Sequence, residues 1–87
     1  MYTLIIDCSN FALEHSAHAV NGSGDLVAVM HIKTEDIGKF IAEDDRITEV
    51  KLSGNPEYCL GIKEDIENKV ALEYANNENR KVIVEVI

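Results

Sequence analysis

The chain has no tryptophan, a single proline and two cysteines among its 87 residues. Cys8 and Cys59 form no CxxC motif and no disulfide framework, so a reducing compartment is expected. Neither has a basic neighbour in sequence to activate its thiol, and both are expected to serve as buried hydrophobes. Long apolar runs are missing too. No segment approaches the roughly 20 residues that span a bilayer. Asp7 interrupts the apolar run near the start, which argues against a signal peptide. A cytoplasmic protein without membrane attachment is the expectation.

Positive charge is scarce: eight Lys and Arg stand against sixteen Asp and Glu, a net charge of −8. The basic residues are scattered and make no stripe. Exchange of protein cations for the counterions of phosphates needs such a stripe, so direct nucleic-acid binding is not expected. A protein partner with a basic surface suits this charge better, through steering and complementarity. The plain alternative is that the excess acid keeps a small domain in solution. No pattern of His, Cys and acid has a metal-ligand spacing: His15, His18 and His31 read as ordinary surface or edge residues.

What is present is a run of β-branched segments and two helical ones, with no linker or repeat, so residues 1–87 make one domain. Tyr2 to Asp7 is apolar on both faces, as a central strand buried on two sides would be. Leu26 to Ile32, Ile47 to Leu52 and Lys81 to Ile87 are further strands. Thr34 stands as the cap of a first helix, with an apolar stripe of Ile37, Phe40 and Ile41 and with Glu35 four residues before Lys39. Asn55 caps and Pro56 starts a second helix, expected to reach about Ala75, with Cys59, Ile62, Ile66, Val70 and Tyr74 (or Glu73 in its place) on one side and Asp65 paired with Lys69 on the other. Glu43-Asp44-Asp45 reads as a solvated helix end. Asn10 to Val20 fits two patterns. As a strand it leads through Asn21-Gly22-Ser23-Gly24-Asp25 into a hairpin; as a helix it places Leu13, Ala17 and Val20 on one face and closes at Asn21-Gly22.

The strand Ile47 to Leu52, the turn Ser53-Gly54 and the helix start at Asn55-Pro56 form the kind of junction where α/β proteins hold ligands. If the first and fourth strands are parallel neighbours, Asp7, Ser9, Asn10, Ser53, Gly54 and Asn55 gather at one carboxyl edge. Free helix amides there would suit a small anion, and Asp7 a divalent ion. The same residues can instead satisfy their own loop amides.

With the strand pattern at Asn10 to Val20, the order of elements is βββαβαβ. That order resembles the ribonuclease H-like superfamily, shared by many nucleases and by each half of actin-like ATPases, and nearly the whole chain can be laid on it. The resemblance implies an α/β fold with a mixed sheet, the first three strands antiparallel and the last two parallel to the first. It also implies metal-binding acids. Asp7 matches the carboxylate of the family's first strand, and Glu35 or Asp36 the acid of its first helix. The family's third acid ends the fourth strand, where this chain has Ser53-Gly54-Asn55, so the motif for Mg2+-dependent cleavage is incomplete. The family's final helix has no counterpart here. The resemblance therefore implies an uncovered sheet face or last-strand edge, where a second copy of the chain would form a homo-oligomer. A shorter likeness, Ile5-Ile6-Asp7-Cys8-Ser9-Asn10 followed by His15 and His18-Ala19, looks like the opening of PIN-like nucleases and again singles out Asp7.

Two functions follow as expectations. The first is a non-enzymatic acidic protein, without a cofactor, that binds and regulates another macromolecule, as small viral inhibitors do when they mimic nucleic acid. The second is a metal-dependent nuclease or nucleotide-handling enzyme centred on Asp7.

Overall fold

The computed structural model describes residues 1–9, 13–73 and 81–87. Its strands are β1 (Tyr2–Cys8), β2 (Glu14–Asn21), β3 (Leu26–Lys33), β4 (Ile47–Gly54) and β5 (Ile83–Val86). A 3-10 turn, Thr34–Asp36, leads into α1 (Ile37–Glu43), and α2 (Pro56–Glu73) joins β4 to the last segment. The class is α/β: five strands make one mixed sheet in the order β3-β2-β1-β4-β5. β1 and β3 run antiparallel to β2, while β4 is parallel to β1 and β5 to β4.

The segment with two possible patterns is a strand from Glu14 on; residues 10–12 lie outside the described ones. Its alternation decides the matter. His15, Ala17 and Ala19 are buried while Glu14 and Ser16 are exposed and His18 is half-buried, a period of two that a helix cannot satisfy. Asn21 organises the hairpin: its Oδ1 accepts from the amides of Ser23 and Asp25 at 2.9 and 3.0 Å. Gly24 takes the positive φ of 83° that the turn requires.

The core lies between the sheet and the two helices. Leu4, Ile6 and Cys8 of β1 and Val50 and Leu52 of β4 meet Ile37 and Ile41 of α1 and Cys59, Ile62, Ile66 and Val70 of α2. Both stripes read from helical spacing are therefore real, with Phe40 half-buried at the margin. The helices approach closely at Gly38, where an added Cβ would stand 2.7 Å from Lys69 Cγ and 2.8 Å from Asp65 Oδ2. At the other end Arg46 grips Asp44 through Nε and Nη2 at 2.9 and 2.8 Å, and its guanidinium lies 5.3 Å from the centre of the Tyr2 ring. That clamp fixes the entry into β4 next to the start of β1, whose Tyr2 amide donates to the Arg46 carbonyl at 2.8 Å.

Several local expectations change. β1 is central but covered on one side only: Thr3 and Ile5 are half-buried and Asp7 is exposed. Both helices pack on the face of Leu4, Ile6 and Cys8, so an apolar strand does not here imply two covered faces. Thr34 opens the 3-10 turn instead of capping α1, whose N-cap is Asp36, without a side-chain cap bond. Lys39 reaches Glu43 at 4.0 Å, not Glu35, an exposed pair that contributes little. β4 runs two residues further than expected, to Gly54, and β5 is shorter, Ile83–Val86. Tyr74 of the expected stripe and the expected helix end near Ala75 fall outside the described residues. Among those described, no helix is long and apolar enough to cross a membrane.

Candidate functional site

Three surfaces deserve comparison as sites: the crevice at the carboxyl edge of β1 and β4, the groove beside the start of α2, and the sheet face away from the helices.

At the crevice the expected neighbours are present, though Cys8 and Asn55 do not line it. β1 and β4 are paired in parallel, with Asp7 opposite Ser53 and Cys8 opposite Gly54. Gly54 is obligatory here. Its φ is +131°, and a Cβ would fall 2.5 Å from the carbonyl carbon and oxygen of Cys8 and 2.6 Å from the Ser9 amide nitrogen. The chain then turns at Asn55, whose Oδ1 accepts from the Tyr58 amide at 3.1 Å and whose carbonyl accepts from the Cys59 amide at 2.9 Å. Asn55 is thus a true N-cap, with Pro56 in the first turn. Asp7, Ser9, Ser53 and Gly54 line a depression of about 780 Å³ together with Ile5, Ser16, His18, Leu26 and Val29, all reached from the uncovered sheet face.

The polar groups of this crevice serve one another. Asp7 Oδ1 accepts from the Ser9 amide at 3.0 Å. Hydrogen bonds from the Ser9 side chain and amide hold the Asp7 carboxyl below its ordinary value, with a smaller push from His15. Ser53 Oγ donates to the Ile6 carbonyl at 3.4 Å, and the Asn55 oxygen is taken by the helix cap. Asn10 lies outside the described residues. Glu35 does not join Asp7: it borders cavities on the helix side of the sheet, whereas Asp7 opens on the other side. Among the described residues no three His, Cys, Asp or Glu side chains are grouped to hold a metal ion.

Beneath the crevice lie the two thiols. Cys8 ends β1 and Cys59 occupies the first turns of α2, both fully buried and unbridged. Burial pushes the Cys8 thiol up to about 12, helped by its hydrogen-bonded neighbour Cys59. Such a thiol stays protonated and packs as a hydrophobe.

The groove was not foreseen. It measures about 420 Å³ and is lined by Thr34, Glu35, Glu57, Tyr58, Gly61, Ile62 and Asp65. Among the described residues three carboxylates and no Lys or Arg border it. At its margin Tyr58 reaches inward to His15 Nε2 at 3.0 Å, with the rings tilted by 56°. His15 is 3% exposed and is the buried polar side chain of the core among the described residues. From sequence His15 reads as an ordinary surface or edge residue. The strand alternation that puts it beside Ala17 and Ala19 was the available signal, but its partner lies 43 residues away.

Comparison with protein-family models and with curated proteins finds no match for this chain.

Proposed function

We propose that the chain is a non-enzymatic interaction protein of the cytoplasm that binds a basic protein surface through its helix layer. The observation that carries this is the groove of Glu35, Glu57 and Asp65, bordered by no Lys or Arg among the described residues. The same layer presents Asp36, Glu43, Glu64 and Glu67, against Lys39, Lys63 and Lys69. Among the described residues these carboxylates are not grouped to hold a metal ion, which needs ligands converging within about 2.6 Å, and they suit Lys or Arg side chains better. Where the basic surface is one that normally holds nucleic acid, occupying it inhibits that binding, as an acidic mimic does.

The sheet is proposed to be ribonuclease H-like. In support stand the element order, the strand order β3-β2-β1-β4-β5 and the single antiparallel strand β2 between parallel ones. A Mg2+-dependent nuclease on that framework needs Asp7 and Glu35 at one centre. Their places on opposite sides of the sheet favour the binding role.

Titration with an immobilised lysine-rich peptide, in a salt series, tests the proposal. Binding should weaken steeply as salt rises and should be lost in the folded double variant Glu35→Lys, Glu57→Lys. Cleavage of mixed nucleic acid in Mg2+ or Mn2+ that disappears in Asp7→Asn would overturn it.

A further inference from the structure

The sheet has two edges, and they differ in length and charge. β5 exposes four residues, Ile83–Val86, and carries Glu85. β3 exposes eight, Leu26–Lys33, a rim of about 27 Å at the usual strand rise. Among the described helices and strands β3 stands alone in carrying no carboxylate, in a chain that has sixteen. Leu26, Val27 and Val29 are 62%, 46% and 69% exposed, and Ile32 is the one buried member. An edge strand offers a row of unpaired amides and carbonyls. Natural edges are guarded by short length, proline, inward charge or a bulge. β3 has a bulge at Val27, opposite Ala19 and Val20, and a lysine at its last residue; from Ala28 to Ile32 it has no such guard and no Asp, Glu, Lys or Arg.

We propose that β3 pairs with β3 of a second copy of this chain, antiparallel about a two-fold axis, to make one continuous ten-stranded sheet. Charge selects the occupant. A basic partner finds no carboxylate on this strand to answer its cations. A second copy brings the same carboxylate-free strand, so two chains of net charge −8 meet along the element where neither carries a negative side chain. The contact is isologous and closes at two copies. It pairs the edge amides and carbonyls of both chains and extends the apolar row of Leu26 and Val29 across the join. The sequence points to the last strand or an uncovered sheet face for self-association; the longer rim, without a carboxylate, is at β3.

Sedimentation equilibrium on the full chain tests this, with Val29→Lys and Ile83→Lys as variants. Both positions are exposed, so both variants should keep the native circular dichroism spectrum. The native chain and Ile83→Lys should give twice the 9.7 kDa chain mass, and Val29→Lys the single mass. Slow amide exchange on alternate residues of β3 should be present in the native dimer and lost in Val29→Lys. A native chain that stays monomeric at millimolar concentration overturns the proposal. So does a folded Val29→Lys that remains dimeric, or a dimer broken by Ile83→Lys instead. The outcome is separable from that of the basic-partner proposal, since Val29→Lys leaves the groove intact and the groove variants leave β3 intact.

Discussion

On the helix side of the sheet, Leu4, Ile6, Val50 and Leu52 have no exposure at all, and Ile37, Ile41 and Ile66 close over them. On the other side, Ile5 is half-buried, Asp7 is exposed, and Val29 and Ile83 stand in solvent. Neighbouring residues of one strand thus have opposite surroundings. The covered side holds the fold together, since its apolar area leaves water on folding. The open side and the helix exteriors add little to stability and are free to recognise partners. Charge divides the outer surface again, into an acidic helix layer and a β3 rim without carboxylates.

The largest expected effect falls where the two sides join. Gly54→Val places a side chain into the Cys8 and Ser9 backbone at a φ of +131°, and should cost on the order of 3 kcal/mol or more in urea unfolding. Gly61, in α2 with nothing within 4 Å of an added Cβ, makes the contrast: Gly61→Ala should stabilise by about 0.5–1 kcal/mol. The two sides of the sheet differ next. Leu52→Ala should cost about 2–5 kcal/mol, and Val29→Ala, measured on monomer, less than about 0.5 kcal/mol. Equal losses at both positions would mean that the open side is covered within one chain.

A smaller change sharpens the account of the groove. Tyr58→Phe removes the hydroxyl at 3.0 Å from the buried His15 and should cost about 1–2 kcal/mol in the same assay. The alkaline limb of stability reports on Cys8. Its thiol holds a proton more tightly in the fold than in the unfolded chain, so its contribution is complete below about pH 9 and is lost as pH rises towards 12. Thermal unfolding should drop across that window, and Cys8→Ala should flatten the slope.

Much of this was legible beforehand. The strand, glycine, Asn-Pro junction announced β4 and α2, and the spacing of Cys59, Ile62, Ile66 and Val70 announced the buried stripe, because cap chemistry and helical period are local. The pairing of β1 with β4 was a condition of the expected crevice, implied by the resemblance in element order and met by the sheet. What stayed hidden depends on contacts far apart in sequence. Apolar character told that Tyr2 to Asp7 and Leu26 to Ile32 were strands, but not which faces would be covered. His15 looked like a surface residue until Tyr58 of α2 met it. The acids Asp7 and Glu35 seemed a plausible pair until the pleat turned Asp7 away from the helices. The groove draws its carboxylates from two separate elements, the 3-10 turn and α2, so no single stretch of sequence displayed it.

Capture from native host extract with three forms of the chain tests most directly whether recognition lies outside the crevice. The native protein, the double variant Glu35→Lys, Glu57→Lys and the single variant Asp7→Asn would be compared at low and high salt. The account predicts a basic protein held equally by the native chain and Asp7→Asn, released by salt and absent from the double variant. A partner kept by the double variant and lost with Asp7→Asn would contradict it.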